Sequence, residues 1–369
     1  MRIIPLLLMI AMGLGAATAQ ALSPESPPPL RLAIPDGHAY AGAYIDFGER
    51  EDTVTLEQIE GFDQQAGKRQ AIIALSSDWG NQSFPQQQLA IITHYGAIPL
   101  VFWSPWDRPV DNNTPRSQRG RFNLQAILAG QWDEYIDRWA SQAKAYSKPF
   151  FVSWGLEMNG DWFSWSGVFY GGGDPAPDCA NCFAGPEIFK KTYRYVVDRV
   201  RARGASNILW VWHPNNGSVP EQPWNAMSQY YPGPDYADWL ALSAYGKQFK
   251  GPGWISVDAA LSRAYQELSQ VDPAKPLMLA EWGIGEFPKE GSKAQWIVEF
   301  FQRLPGEFPK FRAIVFWHER WQNEDLSVSN LRVNSSAAAL EAYRKGIADR
   351  YWLDRPIWQP STDFKAVAK

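Results

Sequence analysis

The stretch KPLMLAEWG, residues 275–283, sets the reading of the whole chain: five apolar or small residues run into Glu281, and a tryptophan and a glycine follow. A run that is apolar on consecutive positions is how a strand reads when both of its faces are covered. A second such run, PFFVSWGLE (149–157), also ends in a glutamate, Glu157. Six more recur about every 30 residues: AYAGAYIDF (39–47), QAIIALSSDW (70–79), AIPLVFWSPW (97–106), NILWVWHPN (207–215), DWLALSAYG (238–246) and RAIVFWHE (312–319).

Between these runs the apolar period changes to that of a helix. In QWDEYIDRWASQAKAY the stripe is Trp132, Tyr135, Ile136, Trp139 and Ala143; in EIFKKTYRYVVDRVRARG it is Ile188, Phe189, Tyr193, Val196, Val197 and Val200, stopped at Gly204. Only the connection between the fifth and sixth runs lacks a clear long helix. Eight strands alternating with helices predict an α/β fold, a single (β/α)8 TIM barrel spanning residues 38–355. A doubly wound sheet is disfavoured, because the glycines of HAYAGAYIDFG lack the G-x-G-x-x-G spacing that leads into a helix.

The flanks read differently. Residues 1–21, with one basic residue, an apolar run to about Leu14 and then small residues, predict a signal peptide, and so a secreted or periplasmic protein with no membrane anchor. A proline-rich segment (22–37) follows with no reason to pack, and residues 356–369 are expected to form a tail. The formal charge of −4 with interspersed signs argues against a nucleic-acid partner. Cys179 and Cys182, in GGGDPAPDCANC, are expected to form a local disulfide in an exported protein. The four histidines at 38, 94, 213 and 318 show no ligand spacing, so no metal and no cofactor are expected.

The sequence also carries 19 Trp, 15 Tyr and 19 Phe, an excess that fits a cleft stacking flat ligand faces. In a barrel the active site forms at the C-terminal ends of the strands. The residues there are Asp46, Asp78, Trp103, Trp106, Asp107, Glu157, Asn159, Trp212, His213, Tyr245, Glu281, Trp282, Trp317, His318, Glu319 and Trp321. Among them Trp103, Trp106, Asn159, Trp212, His213, Trp282 and Trp321 are candidate substrate contacts. The ends of strands four and seven face each other across the mouth, so Glu157 and Glu281 are candidates for a carboxyl pair at the roughly 5–5.5 Å of a retaining glycosidase. Their mutual charge would keep one protonated while the other is ionised. Glu319 and Glu286 are rivals for the nucleophile, and Asp46, Asp78 and Asp107 are expected to be substrate or loop contacts.

The segment WGLEMNGDWFSWSG (154–167) resembles the acid/base motif of glycoside hydrolase family 26, a family mainly of endo-β-mannanases with some β-glucanases and β-xylanases. YYPGPDYADWLALSAYG (230–246) is similar to the family's approach to strand six, and KPLMLAEWG to its nucleophile strand. The resemblance covers about residues 38–350. It implies Glu157 as acid/base, Glu281 as nucleophile, Tyr245 as the hydroxyl touching the nucleophile, and Trp162 and Trp317 as rings lining the subsite of cleavage. The family usually has a histidine where this chain has Leu156, which cannot hydrogen-bond. Because the family acts mainly on mannans, the resemblance implies mannan or glucomannan as the first expected substrate; because Leu156 removes a polar contact, a β-1,4- or mixed-linkage glucan, including exopolysaccharide processing, is the alternative. A non-catalytic carbohydrate-binding protein is the other class, and a monomer is expected.

Overall fold

A computed structural model describes residues 30–34, 36–47, 53–107 and 121–360. The expected signal peptide lies outside the described residues, as do most of the proline-rich segment and the tail beyond residue 360. Eight parallel strands form the barrel: β1 (Ala39–Ile45), β2 (Ile72–Asp78), β3 (Ile98–Ser104), β4 (Phe150–Trp154), β5 (Ile208–Trp212), β6 (Trp239–Tyr245), β7 (Leu277–Gly283) and β8 (Phe311–His318). The barrel closes where β1 pairs with β8, from Tyr40 opposite Ala313 to Ile45 opposite His318. A two-residue strand, Trp352–Leu353, adds to the start of β1.

Among the described residues, seven long helices wrap the strands: α1 (Leu56–Ala66), α2 (Gln86–Tyr95), α3 (Asp133–Tyr146), α4 (Ala184–Ala202), α5 (Val257–Val271), α6 (Lys293–Glu307) and α7 (Ala337–Ile347). The connection from β5 to β6 holds only two 3-10 turns, Pro223–Asn225 and Met227–Tyr230, as the missing helical period predicts. Helix starts follow local chemistry. Thr55, Ser256, Ser292 and Ser336 each accept a backbone N–H of the first turn, which satisfies one of the donors a helix start leaves open.

One sequence expectation fails at the N-terminal flank. Leu30–Leu32, inside the segment with no evident reason to pack, pairs antiparallel with Trp358–Pro360 from the expected tail. The Tyr40 hydroxyl secures this ribbon by donating to the Ala33 carbonyl (2.9 Å) and accepting from the Ile357 N–H (3.2 Å). Backbone pairing does not depend on apolar patterning, so composition gave no sign of it.

Strand alternation decides which side chains reach the barrel interior and which reach the helices. On β7 the Trp282 ring stacks on Phe300 of α6 (centroids 3.7 Å apart, 7° between planes), so its neighbour Glu281 points inward. On β3, Trp103 stacks on Trp139 of α3 (4.0 Å, 15°), while Phe102 faces Tyr44 and Trp317 inside.

Glycine contacts give a test of this packing. A Cβ on Gly346 in α7 would sit 2.0 Å from the Phe301 ring of α6, whereas one on Gly61 in α1 would meet nothing within 4 Å. Gly346→Ala is expected to cost about 1–3 kcal/mol by overpacking. Gly61→Ala should add about 0.5–1 kcal/mol by removing unfolded-state freedom. Urea unfolding of both variants checks the opposite signs; equal shifts would refute the α6–α7 contact.

Candidate active site

Glu157 lies three residues beyond β4. The strand stops at Trp154 because Gly155 takes φ +59° and Glu157 itself takes φ +54°, a left-handed conformation that a non-glycine residue adopts at some cost. The turn is held by the Glu157 N–H donating to the His213 carbonyl (2.6 Å) and by the Gly160 N–H donating back to the Glu157 carbonyl (3.0 Å). The carboxyl accepts from the Trp162 indole N–H at 2.6 Å and bonds the Ser243 hydroxyl. Burial pushes its pKa up, partly offset by those two donors. A carboxyl in that position keeps its proton to higher pH than an exposed one.

Glu281 sits within β7, and the ladder beside it is irregular. Leu242 pairs with Leu279, but the next β6 residue, Ser243, pairs with Glu281, so Ala280 is passed over. Such a bulge re-aims side chains, and here it accompanies the turn of Glu281 toward the mouth. Its Oε2 accepts from the Tyr245 hydroxyl at 2.7 Å. Burial and the negative charges of Glu281, Glu157 and Glu319 raise the Tyr245 pKa well above its ordinary value, so the phenol stays a donor. The single tyrosine therefore senses all three carboxyls.

Glu157, Glu281, Glu319, Trp162, Tyr245 and Trp317 line one cavity of about 1500 Å³ at the C-terminal end of the barrel. Trp317 is fixed by stacking on Tyr44 (3.8 Å, 5°), and Trp321 reaches the cavity from the hairpin Arg320–Gln322/Val328–Asn330. These expected positions are brought together by the fold.

Several others are not. Trp103, Trp212 and Trp282, expected as substrate contacts, are fully buried and face the helix layer: the Trp103 indole N–H donates to Tyr135, and Trp212 packs its ring edge against Tyr231. Their strand parity is one residue off the inward register. Trp106 lies outside the cavity lining, with its indole on Asp78 and its ring against Phe163.

Asn159 is fully buried and spent on loop structure. Its amide donates to the Asn215 carbonyl (3.0 Å) and Ser218 hydroxyl (3.2 Å), and its carbonyl accepts from the Asn215 N–H (2.8 Å). His213 is also fully buried, beneath the cavity floor between Ser153 and Ser243. His318 faces outward against Phe62. Asp46 pairs with Arg332, Asp107 with Arg121, and Glu286 accepts from Ser335, so each of these acids has a structural partner. Leu156 is buried in the core, and its carbonyl accepts from the Trp165 indole (2.7 Å).

The cavity wall that sequence reading missed is the segment after β6, GKQFKGPGW (246–254), which contributes Lys247, Phe249 and Trp254. Its two glycines at positive φ, Gly251 and Gly253, offer their carbonyls to the Lys247 ammonium. The G-x-G around Pro252 was the signal available. Cys179 and Cys182 are bonded to each other in the loop before α4.

The matches to known proteins agree with this architecture. The family described as Glycosyl hydrolase family 26 matches residues 113–288. The chain is 29% identical over 321 residues to Endoglucanase H of Acetivibrio thermocellus, covering 84% of this chain and 31% of that protein. It is 25% identical over 184 residues to a mannan endo-1,4-beta-mannosidase of Bacillus subtilis, covering 50% of this chain and 41% of that one. It thus spans well under half the length of either relative. A modular endo-beta-1,4-mannanase from Cellulomonas fimi superposes with a TM-score of 0.60 at 19% identity, over 86% of this chain and 72% of that one. Bacillus subtilis mannanase man26 superposes at 0.55 and 18%, over 87% of each. At these identities the superpositions establish the fold.

Burial also fixes a pH response. His213 and His318 are held neutral, each with its pKa lowered to about 3, by burial first and for His318 also by the Arg332 and Lys293 charges. The unfolded chain binds these two protons near pH 6.5 and the native one does not, so stability is full above that pH and falls as pH drops from about 6.5 toward 3. The expected slope is about 1.4 kcal/mol per pH unit per imidazole. Asp63, whose carboxyl burial pushes up to about 6, opposes this slope, so urea denaturation from pH 7 to pH 4 is run on the wild type beside His318→Gln. The difference between the two should fall by about one imidazole's slope, and parallel profiles would contradict the burial of His318. A second expectation concerns Leu156→His, which should lower stability by about 1–3 kcal/mol through a buried unpaired polar group. The ratio of activities on mannan and β-glucan should stay unchanged, as kcat/KM on the two polymers would report.

Proposed function

We propose, because the model of glycosyl hydrolase family 26 matches residues 113–288 and the fold sets two buried carboxyls on one cavity, that the chain is a retaining endo-acting glycoside hydrolase of β-linked polysaccharide. The observation that carries this reading is the pair of buried acids on one cavity, each met by its own hydrogen-bond donors. Glu157 is pushed toward its protonated form by burial, while the Glu281 carboxylate accepts the Tyr245 proton donor. One carboxyl suited to give a proton and one suited to attack are what double displacement needs.

In the first step the Glu281 carboxylate attacks the anomeric carbon and forms a glycosyl ester as the bond to the leaving oxygen breaks. Glu157 gives that oxygen its proton. Water then attacks the ester carbon, Glu157 takes the proton from the water, and the Glu281 carboxylate is released. The Tyr245 hydroxyl orients the nucleophile, and Trp162, already bonded to Glu157, and Trp317 flank the reacting sugar. No step calls for a metal or organic cofactor.

Mannan or glucomannan is the polymer class supported by the family resemblance and by the mannosidase among the relatives. A β-1,4- or mixed-linkage glucan is a second reading, favoured by one observation: the alignment with Endoglucanase H covers 84% of the chain, that with the mannosidase only 50%. An exported location is part of the proposal, resting on the leader-like residues 1–21 and on the Cys179–Cys182 disulfide.

Brief digestion of soluble mannan, glucomannan and mixed-linkage glucan, with product lengths and the first-formed anomer read by NMR, tests the whole reading. Internal cleavage with the β anomer appearing first is expected; an α anomer would exclude the covalent route. Glu157→Gln should lower kcat/KM on polymer by about 10²–10⁴. Tyr245→Phe should lower it by about 10- to 100-fold, the loss of one hydrogen bond to a charged group.

A further inference from the structure

His213, expected as a substrate contact, grips Glu157 at two points. Its backbone carbonyl accepts the Glu157 N–H at 2.6 Å, fixing the left-handed turn. Its imidazole begins a chain to the carboxyl: Nε2 lies 2.9 Å from the Ser243 hydroxyl, and Ser243 in turn bonds the Glu157 side chain. On the other side, Nδ1 lies 3.1 Å from the Ser153 hydroxyl. Ser153, His213 and Ser243 are all fully buried.

The direction of every bond in this chain follows from its end. Once Glu157 has given up its proton it is a carboxylate that only accepts, so in that state Ser243 donates to it. The Ser243 oxygen is then free to accept, and the proton comes from His213 Nε2–H. Nδ1 is left as an acceptor for the Ser153 hydroxyl, and the imidazole is neutral in one tautomer. Burial that keeps His213 uncharged is what makes this arrangement stable over the working pH range.

We propose that His213 is a positioning residue for Glu157, acting through Ser243, so that the buried chain Ser153–His213–Ser243 holds the acid/base carboxyl in its proton-donating orientation. This rests on the reading of Glu157 given above. The cavity face of Glu157 is governed by other groups, namely the Trp162 indole from its own loop, Tyr245 on β6, Glu281 on β7 and Glu319 after β8. The barrel-side face is governed by Ser243. A sugar occupying the cavity would meet the first set, while the second stays beneath the floor and is unaffected by substrate.

The test is Ser243→Ala beside Ser243→Thr, which keeps the hydroxyl, with the full chain in each case. Removing a donor that favours the ionised form raises the Glu157 pKa, so the basic limb of kcat/KM against pH should move up by about half to one pH unit. Loss of orientation should reduce kcat/KM on polymer, whose leaving alcohol needs a proton, by several-fold more than on 2,4-dinitrophenyl β-glycosides of cellobiose and mannobiose, whose leaving group does not. Ser243→Thr should restore the wild-type limb and the wild-type ratio. Equal loss on both substrate types with an unmoved limb would mean a packing role only and overturn the proposal. Glu157→Gln is measured alongside. If it keeps the wild-type rate on polymer, the assignment of Glu157 falls and the relay with it; if it is disabled while Ser243→Ala behaves as wild type, the relay alone falls.

Discussion

Each barrel strand must satisfy two interiors at once, the helix layer outside and the strand-lined centre inside, and successive side chains can only alternate between them. The strand-borne part of the site depends on that constraint. Trp282 fills the gap against Phe300, which obliges Glu281 to face the centre. Trp212 goes outward to Tyr231, and the next residue, His213, goes inward between two serines. The large aromatic rings are thus the outer anchors of strands whose alternate residues face the barrel centre.

Placing carboxyls in such a centre is costly unless donors meet them. Here the donors come from several strands: Trp162 and Ser243 for Glu157, Tyr245 for Glu281. The acids differ in which donors they receive and in how the backbone presents them. Glu157 stands on a left-handed turn after β4, and Glu281 beside a bulge between β6 and β7. Both irregularities sit next to the cavity, whereas the pairing of β2 with β3 runs unbroken from Ile72 to Asp78.

The tryptophan excess has two uses that composition merges. Trp103, Trp139 and Trp282 stack in the dry layer between strands and helices, and their planarity fills space there. Trp162, Trp317 and Trp321 are half-buried on the cavity, where a flat face can meet a sugar ring. The distinction between the two groups is one of strand parity and loop position.

The sequence by itself determined the barrel, because eight doubly covered strands leave eight apolar runs and the helices between them leave a 3.6-residue stripe. It also singled out Glu157 and Glu281, the acids that close two apolar runs, and the fold brings both to one cavity; and it located the connection without a long helix. The tertiary structure decided which ring at a strand end faces the cavity, because parity near a strand end depends on where the strand stops and on bulges such as the one at Ala280, neither of which a run of apolar residues encodes. It alone joined Leu30–Leu32 to Trp358–Pro360, through backbone bonds between segments more than 300 residues apart. It alone placed His213 under Glu157, because that contact is made by neighbouring strands across the barrel floor and lies 56 residues away along the chain.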